Sequence, residues 1–193
     1  MRKAALGVSL VLLCAAGARD AGASVSLTVV FDALVEESTA SAVVSAMEQS
    51  SVWEGGRIVT YTHLRVEDRL AGSLGQEAWV RSLGGVVGDV GQQVEGEATF
   101  TMGNRYVVFL KPSVQGTSMA VVARAQGEFP VQNAKVTSRV TATLPPRPDV
   151  VARIQARTQA PEAVLPASAV LSGHSVEDTR ALVAAAWQRT HAR

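Results

Sequence analysis

Apolar and polar positions alternate along much of the chain, with a period of two. In SVSLTVVF, residues 24–31, Val25, Leu27, Val29 and Phe31 fall on one side of an extended chain, as on a strand with one buried face. Asp32 is placed to cap a short helical turn, ALVEES, with Glu36 and Glu37 inside it. Residues 40–53, ASAVVSAMEQSSVW, read mostly as strand. EGGR at 54–57 is a turn signal, so residues 43–53 and 58–69 are predicted to pair as a hairpin. In the second of these runs Ile58, Thr60, Thr62, Leu64 and Val66 share one face. Val59, Tyr61, His63, Arg65 and Glu67 share the other. AWVRSL, 78–83, predicts a short strand. RYVVFLK, 105–111, is apolar on both faces and predicts a central strand covered on both sides. Residues 118–131 predict a strand broken near Gly127 and Pro130. AKVTSRVTATL, 134–144, has the clearest alternation and predicts an edge strand with a wet face of Lys135, Thr137, Arg139, Thr141 and Thr143.

The pattern changes at Leu144. Five of the seven prolines lie between Pro145 and Pro166, and proline cannot donate to a sheet ladder. Residues 145–174 therefore predict an extended linker, with a short helix around 150–157. Ser175 and Asp178 form a capping-box start for SVEDTRALVAAAWQRTHAR. Val176, Arg180, Val183 and Trp187 make one stripe of this helix of about four turns, and a lone helix of that length needs docking, here by Val183 and Trp187. Several short strands and a terminal helix predict a mainly β fold, a small antiparallel OB-like barrel with a C-terminal helix.

The N-terminus has a different character. Arg2 and Lys3 precede the apolar run 4–16, which is too short to span a bilayer. Ala16-Gly17-Ala18 and Ala21-Gly22-Ala23 are both small-residue cleavage sites. Residues 1–23 read as a secretory signal peptide, with cleavage after Ala23 favoured over Ala18 and a secreted or periplasmic destination. Cys14, the single cysteine, lies inside it, and Leu13 is not the small residue a lipidation signal places there. The remaining chain has no disulfide to staple it. Cleavage removes three of 18 basic and one of 17 acidic residues, leaving 15 against 16. That balance argues against nucleic acid as a partner, and no second apolar run reaches membrane length. The predicted organisation is signal peptide 1–23, β-barrel 24–144, linker 145–174 and helix 175–193.

The glycine-rich stretch LGGVVGDVGQQVEGEATF, 83–100, is the first place to look for chemistry. No lysine follows its glycines, so it is not a P-loop. Gly84, Gly85, Gly88 and Gly91 lack dinucleotide-loop spacing, and Asp89, Glu95 and Glu97 are too scattered for a calcium loop. Glycine as a corner or bulge of a closing sheet explains it better, with Gly96 and Gly103 marking turns. His63, His174 and His191 show no ligand spacing, so no metal site is expected, and no cofactor motif is present. No G-x-S-x-G elbow occurs. Glu36–Glu37 and Glu67–Asp68 read as solvated faces. Trp53, Trp79 and Trp187 read as core residues or barrel-end plugs, and no residue is assigned as catalytic, cofactor-binding or metal-binding.

SVWEGGRIVTYTHLRVEDRLAG, GGVVGDVGQQVEGEATFTMGNRYVVFL and ARAQGEFPV resemble a family of secreted bacterial proteins of uncharacterised function. Asn104 stands where that family usually has Glu, and Ala71 where it often has Lys. The strand order is also similar to netrin-like OB-type modules, which include the tissue inhibitors of metalloproteases. Their N-terminal zinc-chelating cysteine is missing here, so the resemblance implies protease association only without that wedge. The expected function is a non-enzymatic exported β-barrel module that binds a protein or cell-envelope partner. A small-ligand or lipid carrier using the barrel interior is one alternative. A secreted hydrolase is another, with His63 and Glu67, Asp68 or Asp89 as its natural cluster.

Overall fold

The computed structural model describes residues 26–140 and 144–192, and the proposed signal peptide lies outside them. The fold is mainly β with a C-terminal helix. Helix α1 (Phe31–Glu37) is followed by the long strands β1 (Ala40–Glu54) and β2 (Arg57–Gly72) and by β3 (Glu77–Leu83). A small hairpin, β4 (Gly85–Val87) with β5 (Val90–Gln92), leads to β6 (Arg105–Pro112) and β7 (Met119–Val121). Then come β8 (Glu128–Gln132), β9 (Lys135–Val136) and three helices, α2 (Pro148–Gln155), α3 (Ala167–Leu171) and α4 (Val176–His191).

The main sheet runs β1-β2-β3-β7-β6-β8-β9, and β1 also pairs with β6. The pairings β1–β2, β2–β3, β3–β7, β7–β6 and β6–β1 therefore return to their start. The β3–β7 step is parallel and rests on one bridge, Val80↔Met119. The β1–β2 hairpin turns at Gly55 and Gly56, with φ of 57° and 77°, the left-handed pair a two-residue turn requires. Register shifts between Ser41 and Ala42, Val43 and Val44, and Ala46 and Glu48 bend β1 so that it can serve both neighbours.

Strand β6 explains the layering. Tyr106, Val108 and Leu110 point to one side and pack with Val44, Leu64, Val80, Ala98 and Phe100. Val107 and Phe109 point to the other and pack with Phe31, Leu34, Phe129, Leu171 and Val183. This doubly buried strand follows the sequence expectation. A third cluster, Val30, Ala33, Ile154 and Ala163, seats α1 on the proline-rich segment. Helix α4 starts at the expected capping box: Asp178 N–H donates to Ser175 Oγ at 3.0 Å, and Ser175 N–H returns to Asp178 Oδ2 at 3.4 Å. It docks with Val183 and Ala186 buried and Trp187 over the end of β2. There Gly72 (φ +71°) leaves the needed room, since a Cβ would lie 2.8 Å from Trp187 Cη2.

Three expectations need correction. Residues 26–31 are not a strand of the sheet. Leu27 and Val30 make single bridges to Leu144 and Pro166, and Phe31 already begins α1. Among the described residues of 134–144, the ladder with β8 takes in Lys135 and Val136 alone, because β8 offers Val131 and Gln132 and then Pro130, which has no N–H to extend it. Residues 141–143 lie outside the described residues. The proline-rich segment is not an extended linker: it folds into α2, a 3-10 turn and α3, and buries Ile154, Ala163, Val170 and Leu171. Among the described residues, no helix is long and apolar enough to cross a membrane.

Candidate functional site

Two places gather polar side chains. The first grows from the glycine stretch. After β3 the chain continues at Gly84, whose N–H donates to the Ile58 carbonyl at 2.8 Å and whose carbonyl accepts from Thr60 Oγ1 at 2.6 Å. Gly85 (φ +131°) lies directly on Ser51 and Thr60, so no side chain fits there. Gly88 and Asp89 then close the β4–β5 hairpin, a two-residue loop that the Gly-Asp pair signals in the sequence. Gly96 and Gly103, at φ of 72° and 79°, make the expected turns.

The glycine stretch does more than bend. Residues 84–86 and 91–100 wall a concave hollow of about 840 Å³, with Gln49, Thr60, Gln126, Glu128 and Arg139 on the other side. Glu128 is nearly inaccessible at 2%. Its Oε2 accepts from Thr99 N–H at 3.0 Å, and its Oε1 accepts from Arg139, which also donates to the Thr99 carbonyl. Burial pushes the Glu128 carboxyl above the ordinary value of 4.5, and Arg139 offsets part of the rise. Glu97 is raised for the same reason, with Arg124 at 3.8 Å as its counterion. The glycine-corner reading is thus incomplete, and sequence inspection passed over Glu128, Arg139 and Gln49. A signal was available in QGEFPV, where Glu128 sits among residues patterned for burial.

These shifts predict a pH dependence. A carboxyl raised on folding binds its proton more tightly in the native protein. Its stability contribution is therefore full below the ordinary 4.5 and lost as pH climbs through the raised value. Glu97→Gln and Glu128→Gln are each expected to flatten the fall in urea-measured stability between the ordinary 4.5 and the raised value. Unchanged slopes in both variants contradict the assignment. Glu36 and Glu67 act in the opposite window: burial works against their ionisation, but Arg157 for Glu36, and Ser45 with Arg105 for Glu67, hold them below 4.5.

The second place is the outward face of β1–β2–β3. Cross-strand pairing sets Tyr61 opposite Arg81 and His63 opposite Trp79. The His63 and Trp79 rings stack, with centroids 4.8 Å apart and planes 14° apart. His63 Nε2 lies 3.3 Å from Glu77, and its Nδ1 lies 3.7 Å from Glu48. Glu54 accepts from Tyr61 Oη at 2.8 Å and from Arg81 Nη2 at 3.0 Å. The bond from Arg81 lowers the Glu54 carboxyl, and the bond to Glu54 raises the Tyr61 phenol.

His63 thus faces outward, and the acids named for a catalytic cluster lie elsewhere. Glu67 pairs with Arg105, Asp68 with Arg180, and Asp89 sits in the hairpin loop. The tryptophans also differ from expectation. Trp53 is 54% exposed and Trp79 41%, so neither is a core plug. Glu36 and Glu37 are ion-paired, to Arg153 and Arg157 and to Lys111. His174 contributes its carbonyl to Val136 N–H, and His191 stacks on Trp187 with ring centroids 3.7 Å apart. Among the described residues, no three His, Cys, Asp or Glu side chains come together as a metal site would require. Comparison with protein-family models, with curated proteins and with solved structures finds no match to this chain.

Proposed function

We propose that this chain is an exported, non-catalytic binding module whose partner is a protein, docking on the outward face of β1–β2–β3. The observation that supports it is the exposed Trp79, stacked on His63 beside the Tyr61–Glu54–Arg81 network. Tryptophan, tyrosine and arginine are the residues that dominate protein interfaces. Here cross-strand pairing holds them in place before any partner arrives, which lowers the ordering cost of binding. The pairing order, with its parallel β3–β7 step, fits an OB-like barrel. Export rests on the basic start, apolar run and small-residue sites of residues 1–23. The likeness to secreted bacterial proteins and to netrin-like modules makes an exported protease the first partner to try. The space between the strands is filled by Val44, Leu64, Val80, Tyr106 and Val108, which favours this reading over a carrier using that interior.

The test is capture from periplasm or culture supernatant, with mass spectrometry. Wild type is expected to retain a partner that Trp79→Ala holds about thirty-fold more weakly, the effect of losing a 2 kcal/mol anchor. Thermal unfolding is expected to be unchanged, because Trp79 lies on the surface. Equal capture by the two proteins, or no partner in either fraction, overturns the proposal.

A further inference from the structure

The hollow beside the glycine stretch is separate from the outward face, and its chemistry selects a different ligand. Its volume of about 840 Å³ falls in the range of roughly 300–1,000 Å³ typical of small-molecule clefts. Its charges are mostly neutralised in place. Glu128 is bonded to Arg139, and Glu97 faces Arg124. An anion entering there finds both arginines already paired with carboxylates. An acyl chain meets the Gln49 and Gln92 amides, and would strand their unused polar atoms without water.

Two of the wall amides are fixed but half used. Gln49 Nε2 donates to Thr62 Oγ1 and to the Phe100 carbonyl, each at 3.0 Å, leaving its Oε1 as an oriented acceptor. Gln92 Oε1 accepts from Ile58 N–H at 2.8 Å, leaving its Nε2 as an oriented donor. Gln93, also on the wall, makes no side-chain hydrogen bond to another described residue. A neutral ligand rich in groups that both donate and accept satisfies such a wall, and hydroxyls do both. Ala123 and Arg124 hold φ of 54° and 55°, a conformation costly for both residues, and this turn brings Arg124 to Glu97.

We propose that this hollow is a binding site for a neutral polyhydroxylated ligand, a saccharide, held by Gln49, Gln92 and Gln93 with the Glu128–Arg139 pair beside them. The raised carboxyl of Glu97 adds a group that donates as well as accepts when protonated.

The experiment titrates the full chain with short N-acetylglucosamine oligomers and, separately, with short glucose oligomers. Binding is followed by calorimetry and by backbone amide NMR shifts. Saturable binding of either oligomer is expected, with shifts confined to residues 84–100 and 126–128. Gln93→Trp, which fills the hollow from its exposed wall, is expected to weaken binding at least about ten-fold, a loss of about 1.4 kcal/mol. Trp79→Ala is expected to leave saccharide binding intact, which separates this site from the protein-docking face. Three results overturn the proposal: no saturable binding of either sugar, shifts mapping elsewhere, or equal binding by Gln93→Trp with an unchanged unfolding curve. Stronger binding of inorganic phosphate or of a fatty acid in the same hollow also overturns it.

Discussion

Arg189→Met is expected to lower the unfolding free energy by about 3–5 kcal/mol, the cost of leaving one member of a buried pair without its partner. Asp32 is 2% exposed in its side chain. Its two oxygens take a guanidinium fork from Arg189, Nε at 3.1 Å and Nη2 at 2.8 Å. The third nitrogen, Nη1, reaches Glu162 at 3.3 Å. One arginine thus fastens α4 to α1 and to the proline-rich segment. Methionine keeps much of the volume and removes the charge, so the loss reports on the stranded carboxylate. Urea unfolding measures it. Adding Asp32→Leu to Arg189→Met is expected to recover most of the loss, because an apolar pair of similar volume removes the uncompensated charge. A drop below about 1 kcal/mol for the single variant is the size of an exposed pair and contradicts the buried one.

Phe109→Ala is expected to cost about 3–5 kcal/mol by the same measurement, through lost burial and the cavity left behind. Phe109 is fully buried on the helix side of β6, the strand that pairs with β1, β7 and β8. Its ring meets Phe129 edge to face, with centroids 6.0 Å apart and planes at 77°. Around it stand Val43, Leu34 and Leu171, which belong to different elements and cannot all close on one hole. Phe109→Leu, which keeps most of the volume, is expected to lose much less. If the two substitutions cost the same, packing at this position is loose and the assigned layering is wrong.

The hairpin at 54–57, the doubly buried β6 and the capping box of α4 were legible because each depends on neighbours in sequence. Two glycines suit a left-handed turn, an unbroken apolar run needs two covers, and Ser175 reaches Asp178 within one helical turn. Residues 26–31 and 134–144 misled because alternation describes a half-buried extended chain and says nothing of its partner. The first lies against Leu144 and Pro166, and the second runs out of partner at Pro130. The candidate site was hidden for a related reason. Gln49, Gln92, Glu128 and Arg139 are far apart in sequence, and single polar residues in strands look like ordinary wet positions. Trp79 was misplaced because tryptophan is usually buried. Its outward position follows only once Ala78 and Val80 are known to fill the interior.

The join between Asp32 and Arg189 also sets the order in which this molecule can be finished. Helix α1 emerges first among the described helices, yet Phe31, Leu34 and Val35 are covered by Leu171, Val183 and Ala186, more than a hundred residues later. Closing so wide a gap is entropically slow. Until the last helix arrives, the opening segment holds a sticky apolar edge and a lone acid, so a chain stopped short of residue 176 is left open rather than merely shorter.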